Sequence, residues 1–268
     1  MVKCQEIMDI MERIAPRRLA EEWDNPGLLV GSPSQEIRKI LVCLDVSDAV
    51  VEKAVRIGAD MIVSHHPLIF KPIRKLRTDL PLGRRLQKLL AHDIAVLAAH
   101  TNLDIAEGGV NDVLAERIGL ESLEPFVVTG RDGETAGSLG RIGRLAVPLP
   151  IGEFALRVKD ALPVSHVRLI SAGDRPVSKV AICSGSGAEF VGKAASLSAD
   201  AYVTGDVRYH DAQHAVERGM HVIDAGHFGT EFPVVAVLKE RLEQELEEQG
   251  RTVEIVEDKA STDFFTVL

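Results

Sequence analysis

Aromatic residues are scarce in this chain. Phe, Tyr and Trp make up 4% of its 268 residues, with a single tryptophan. A core of any size therefore has to be aliphatic, and the 46% hydrophobic content is sufficient to build one. Basic charge is also in deficit. The formal net charge of −9 excludes general nucleic-acid binding, which needs an electropositive face, and leaves room only for a local basic patch. No run of about 18 apolar residues is present, so no membrane-spanning helix is expected. Cysteine is limited to Cys4, Cys43 and Cys183, odd in number and far apart. That pattern reads as reduced thiols in a cytoplasmic protein, not as a disulfide framework. The N-terminal stretch MVKCQEIMDIMERIAPRRLAEEW carries acids throughout and reads as an amphipathic helix, not a signal peptide.

What is present is an internal repeat. KILVCLDVSDAVVEKAVRIGADMIVSHH, Lys39 to His66, aligns without a gap on KVAICSGSGAEFVGKAASLSADAYVTGD, Lys179 to Asp206. The offset is 140. Identical pairs include Lys39/Lys179, Cys43/Cys183, Lys53/Lys193 and Asp60/Asp200. Both windows read strand, loop, helix, strand. Their apolar runs suit buried parallel strands. A second echo follows at an offset of 127, RRLQKLLAHDIAVLAAHTNLD on HDAQHAVERGMHVIDAGHFGTE, which lays His100 on His227 and Asp104 on Glu231. Alternating strands and helices predict an α/β protein of two internally repeated units with mostly parallel sheets. The expected division is a first unit over residues 1–125. A connecting αβ segment and the second unit then occupy 126–268. GSLGRIGRLAVPLP reads as strand and turn punctuated by Gly137, Gly140 and Gly143.

Chemistry gathers at the predicted strand ends. In SHHPLIF, Pro67 helps end a strand, so His65 and His66 need not point to opposite faces. Ligand sites in open α/β sheets lie at the carboxyl ends of strands. His65, His66, His100, Asp104, His227 and Glu231 all fall at such places, joined in the second half by Asp206, His210, Asp211 and His214. Imidazole with carboxylate suits zinc, iron, manganese, cobalt or nickel, and the donors suffice for two ions. A paired HH or a single histidine is weak evidence alone; three strand ends bearing such groups, two of them repeated, are stronger. WDNPGLLVG, Trp23 to Gly31, reads as a turn feeding an edge strand, with Asp24 and Asn25 able to line a cleft. GSGAEFVG, Gly185 to Gly192, reads as a strand–helix turn because the Walker and Rossmann spacings are absent. His210 and His214 are spaced i, i+4 and fit either ligation or polar surface.

WDNPGLLVG, SHHPLIF, AAHTNLD, TGDVRYHDAQHA and DAGHFGTEFP, in this order, resemble the dinuclear-metal-centre hexamer family. It is also described as NGG-interacting-factor-3-like, with members labelled GTP cyclohydrolase I type 2 homologues. The resemblance spans nearly the whole chain. It implies two interlocked α/β units, a toroidal homohexamer, and two divalent ions per chain held where the units meet. It assigns the ligands His65, His66, Asp104, His227 and Glu231, and leaves His100 as a candidate proton carrier. The resulting expectation is a metal-dependent hydrolase acting on a nucleotide or phosphorylated metabolite. The alternatives are a metal-handling or regulatory scaffold, and ions that merely clamp the two halves.

Overall fold

The computed structural model describes residues 1–129 and 137–267. The remaining residues of the connecting segment, 130–136, and Leu268 of the final DFFTVL lie outside the described residues. By contacts the chain forms two compact units, Met1–Ala106 with Val235–Thr262, and Glu107–Val234 with Asp263–Leu268. This division differs from a single cut at residue 125, because the chain returns to the first unit near its end.

The first unit runs β1 (Val2–Lys3), α1 (Cys4–Ile14), β2 (Gly27–Val30), β3 (Glu36–Ile37), β4 (Lys39–Cys43), α2 (Asp48–Ile57), β5 (Met61–Ser64), α3 (Pro81–Ala91), β6 (Ala95–Ala98) and α4 (Thr101–Ile105). The second runs α5 (Val110–Ile118), β7 (Glu121–Thr129), β8 (Gly137–Leu149), α6 (Ile151–Ala161), β9 (Arg168–Ile170), β10 (Val177–Ile182), α7 (Val191–Ser196), β11 (Ala201–Thr204), α8 (Tyr209–Glu217), β12 (His221–Asp224) and α9 (His227–Glu231). Helix α10 (Val234–Glu248) and strand β13 (Glu254–Glu257) then complete the first unit. Among the described residues, no helix is long and apolar enough to cross a membrane.

The first unit's main sheet has the order β13-β4-β5-β6-β2. Its first four strands are parallel, and β2 is the antiparallel edge that the Asn-Pro-Gly turn feeds. The second unit's sheet has the order β7-β8-β10-β11-β12-β9. Only its centre, β10-β11-β12, is parallel; β7, β8 and β9 join antiparallel, so this sheet is mixed. The glycines of GSLGRIGRLAVPLP do not make a turn, because β8 is one continuous strand. A Cβ on Gly140, at φ +73°, would lie 2.1 Å from the Ile182 carbonyl oxygen. Close approach of two backbones, not reversal of the chain, therefore requires glycine there.

The central strands are apolar throughout because both faces are covered. In the second unit Val180 and Ile182 join a cluster with Phe154 and Val158, while Ala181 and Cys183 join another with Phe126 and Tyr202. In the first unit Leu41, Cys43 and Ile62 pack with Val50, Val51 and Ala54 of α2 and Leu86 and Leu89 of α3. All three cysteines are buried thiols outside any disulfide.

The repeat has a structural cause. Asp60 Oδ2 accepts from the backbone N–H groups of Arg38 (2.7 Å) and Lys39 (2.9 Å), and Asp200 Oδ2 does the same for Ser178 (3.0 Å) and Lys179 (2.8 Å). Lys39 Nζ donates to the Ile57 carbonyl at 3.1 Å, and Lys179 Nζ to the Leu197 carbonyl at 2.8 Å. Each identical Lys–Asp pair thus ties the start of one strand to the end of the following helix and the start of the next strand. Strand registers agree as well: Ile40 faces Met61, and Val180 faces Ala201, an offset of 140 in both.

Lys53 Nζ donates to Asp258 Oδ1 at 2.8 Å and to the Glu257 carbonyl at 3.2 Å, joining α2 to the chain beyond β13. Burial pushes the Asp258 carboxyl up, but the bonds from Lys53 and Ser261 outweigh it and hold the group below its ordinary value. Lys53→Met leaves that buried carboxylate without its cation, and the expected cost at neutral pH is about 2–3 kcal/mol by urea unfolding. The folded-state pKa is depressed. The pair's contribution is therefore present above the unfolded carboxylate's range and lost as pH falls through the folded value. The difference between variant and wild type should shrink in acid; a difference that persists there would show that the ion pair is not its source.

Candidate metal centre

In the first unit, His65 and His66 follow the last residue of β5. The backbone does not lose its partner there. His65 N–H donates to the Cys43 carbonyl (3.2 Å) and His66 N–H to the Leu44 carbonyl (2.9 Å). Ser64 Oγ donates to the His66 carbonyl at 2.9 Å, which fixes the turn out of the strand. The two rings lie 4.9 Å apart and tilted by 41°. Adjacent side chains converge because the alternation of the strand has ended. His100 precedes α4, and its N–H is held by Asn102 Oδ1 at 2.9 Å. Its ring lies 5.3 Å from that of His65 and 5.7 Å from that of His66. One donor nitrogen from each of these three histidines falls within 4.8 Å of the others. Asp104, on α4, brings Oδ1 to 3.6 Å from His65 Nε2.

The second unit holds His227 and Glu231 on the short helix α9. One turn apart, they set Nε2 and Oε2 3.1 Å from each other. The turn after β10 lies against them. A Cβ on Gly185, at φ +61°, would come within 2.2 Å of Glu231 Oε1 and 3.3 Å of His227 Nε2. The glycine-rich GSGAEFVG is therefore more than a strand–helix connection.

The ring tautomers follow from what each Nδ1 meets. His65 Nδ1 faces the Ala99 carbonyl oxygen at 2.9 Å, and a carbonyl can only accept. His66 Nδ1 faces Asp45 Oδ1 at 2.8 Å, His100 Nδ1 faces Asp24 Oδ1 at 2.7 Å, and His227 Nδ1 faces Asp206 Oδ2 at 2.8 Å. In a neutral His65, His66 or His100 ring the proton therefore sits on Nδ1 and the lone pair on Nε2, whereas His227 has a carboxylate at each nitrogen, Asp206 at Nδ1 and Glu231 at Nε2. Metal-binding histidines characteristically give their second ring N–H to a carboxylate or carbonyl in this way. Three rings prepared alike beside Asp104 in the first unit, and His227 with Glu231 in the second, are donors of the types that suit divalent ions.

Asp24 is the best anchored of these acceptors. Its Oδ2 also takes the Thr101 N–H at 3.0 Å and the Thr101 hydroxyl at 2.5 Å. Burial pushes its carboxyl up, but the bonds from His100 and Thr101 prevail and hold it at about 2. Asp24 stays ionised at neutral pH and fixes the His100 ring.

The sequence-derived candidates separate clearly. His65, His66, His100 and Asp104 come together in the first unit, and His227 and Glu231 in the second. His210 and His214 lie on the exposed face of α8, and Asp211 is paired with Arg208 at 2.9 Å. Asp45 was not anticipated, although it stands just past the end of β4, where the strand-end rule that found the histidines applies equally. Asp24 reads from the sequence as part of a turn, and no periodicity marks it. The equivalence of His100 with His227 is off by one residue. Ala99 N–H bonds to the Ser64 carbonyl and Ala225 N–H to the Thr204 carbonyl, while Asp104 N–H bonds to His100 and Thr230 N–H to Gly226. The backbone offset is 126, which sets His100 opposite Gly226.

Comparison with known proteins places the chain among relatives of similar length and fold. Residues 2–263 match the family model described as Duf34/NIF3 (NGG1p interacting factor 3). The chain is 35% identical over 264 residues to a GTP cyclohydrolase 1 type 2 homolog of Clostridium perfringens, covering 98% of this chain and 99% of that protein. Among solved structures, a Bacillus cereus protein related to NIF3 superposes with a TM-score of 0.94 at 28% identity, covering 100% of this chain and 99% of the other. Reduced HcgD from Methanocaldococcus jannaschii gives a TM-score of 0.82 at 34% identity, with 96% and 97% covered.

Asp45→Asn removes the carboxylate that keeps the His66 proton on Nδ1. Affinity for a divalent ion, read by chelator competition, is expected to fall about 10–100-fold with the melting temperature little changed. Unchanged affinity would mean that the negative charge of Asp45 has no bearing on metal binding.

Proposed function

The chain belongs to the Duf34/NIF3 family, and on that premise we propose that it is a metal-dependent hydrolase with a dinuclear centre. The ligands are His65, His66, Asp104, His227 and Glu231, and the substrate is a nucleotide or another phosphorylated metabolite. The observation that carries the reading is the common orientation of the histidines, each with Nδ1 on an oxygen acceptor. That both units serve one centre is part of the proposal, and it draws on the donor chemistry and the family. A homohexamer in a reducing, cytoplasmic compartment belongs to the same reading.

Two divalent ions would supply Lewis acidity toward a phosphoryl or carbonyl oxygen and would lower the pKa of a nearby water toward neutrality. The chain's own part is positional. In the neutral His100 ring the bond to Asp24 leaves the lone pair on Nε2, so that nitrogen can take a proton from an attacking water and return it to a leaving group. The ionised Asp24 then stabilises the imidazolium formed in between, as a carboxylate does behind a catalytic histidine. Five ligands and a separate base divide the work, so loss of His100 should lower turnover while leaving metal bound.

A metal-handling role without turnover is the second reading. The His227 side chain is 37% exposed, which suits ions that exchange. Transfer of metal to an apo-acceptor, with no saturable turnover, would favour it.

Elemental analysis of protein purified without added metal should find about two ions per chain. The His65→Ala/His66→Ala variant should lose them. His100→Ala should keep both ions and lower kcat about 10²–10⁴-fold in a nucleotide and phosphoester screen. A well-metallated wild type that turns over nothing in that screen would sink the hydrolase reading.

A further inference from the structure

The one tryptophan of the chain, Trp23, is 59% exposed. A single exposed aromatic needs no explanation, but this one has company. Its ring lies edge-on to Phe70 at 5.9 Å and to His100 at 6.1 Å, and Phe70 lies edge-on to His100 at 6.2 Å. Phe70 is itself 42% exposed. The pair is held in place. Asn25 Nδ2 donates to the Ile69 carbonyl at 2.6 Å, which ties the WDNP turn to the loop that carries Phe70. Asp24, next to Trp23, is anchored by His100 and Thr101. Two exposed aromatic side chains thus stand tilted by 67° to one another beside the histidine that faces His65 and His66.

The same loop carries charge. Residues 65–80 contain neither helix nor strand, a length that is uncommon in a compact domain and usually functional. It bears Lys71, Arg74, Lys75 and Arg77 against the single acid Asp79, in a chain of net charge −9. Arg77 is engaged by Asp79 at 2.5 Å. Lys71, Arg74 and Lys75 are exposed and make no ion pair among the described residues. Their plainest role is solvation, yet a cationic loop on an anionic protein also attracts anions to the place where it lies.

We infer that Trp23 and Phe70 form a slot for the planar heteroaromatic ring of a nucleotide, whose phosphate is met by Lys71, Arg74 and Lys75. This rests on the hydrolase reading of the neighbouring centre and narrows its ligand to one with both a base and a phosphate. A planar ring laid on one aromatic face turns its own edge toward the face of the other, the stacked and edge-on contacts that aromatic rings favour. Stacking on aromatic side chains tolerates any base. A sugar phosphate has no ring to place there.

Trp23 is its own reporter, because no other tryptophan contributes to the fluorescence. Full-length protein, both as purified and after EDTA treatment, is titrated with GMP, ribose 5-phosphate and inorganic phosphate. GMP is expected to quench Trp23 saturably, and the other two are not. Phe70→Ala should weaken the GMP response about tenfold. Lys71→Glu/Arg74→Glu/Lys75→Glu should weaken it and flatten its salt dependence. Both variants should retain the wild-type metal content. Equal responses to GMP and ribose 5-phosphate, or none to either, would overturn the slot. So would a Trp23 that acrylamide cannot quench, because a second copy of the chain would then cover it. GMP quenching in a wild type that binds no metal keeps the slot and removes the hydrolase reading; bound metal without a GMP response removes the slot alone.

Discussion

A neutral imidazole has one proton to place between two nitrogens, and the oxygen that takes the hydrogen bond decides which nitrogen remains a donor. In this protein that choice is made alike for His65, His66 and His100, while His227 meets a carboxylate at each nitrogen. Ala99, Asp45, Asp24 and Asp206 each set an oxygen against Nδ1 of a different histidine. Three of the acceptors are carboxylates. The acceptors stand on separate parts of the chain, so the rings are set by tertiary structure and not by local sequence. Much of the fold beneath them can be read as the means of delivering those oxygens.

Duplication explains how the delivery is arranged and where it diverges. The Lys39–Asp60 and Lys179–Asp200 bonds hold the same strand–helix–strand frame in both copies. At the end of the second strand the copies part. His65 and His66 correspond to Gly205 and Asp206. A Cβ at Gly205 would lie 2.7 Å from the backbone of Gly226 and His227, so nothing larger than glycine fits where the first copy carries an imidazole. Asp206, in place of His66, becomes the acceptor for His227. One copy supplies donors at that position and the other supplies the oxygen that orients one.

Much of the frame was legible from sequence, because its causes are local. Apolar runs bounded by Gly and Pro gave the strands and helical spacing gave the helices, and the gapless repeat aligned identical residues that prove to make identical bonds. Metal-type donors at strand ends identified both clusters. The parts that were not legible depend on contacts between distant segments. Asp24 reaches His100 across 76 positions, and no pattern in WDNP announces it. The antiparallel strands of the second sheet follow from the return of β8 along β10. Matching histidine to histidine placed His100 opposite His227, whereas backbone hydrogen bonds place it opposite Gly226. Chemical likeness is a poorer guide to register than the ladder itself.

Anomalous diffraction from crystals of the protein grown with manganese or zinc tests the central point most directly, because it locates the ions and the atoms they touch. The expected result is two anomalous peaks bonded to Nε2 of His65, His66 and His227 and to carboxylate oxygens of Asp104 and Glu231, with every Nδ1 still on its oxygen acceptor. Ions bound through Nδ1, or peaks only at surface histidines such as His210 and His214, would contradict it.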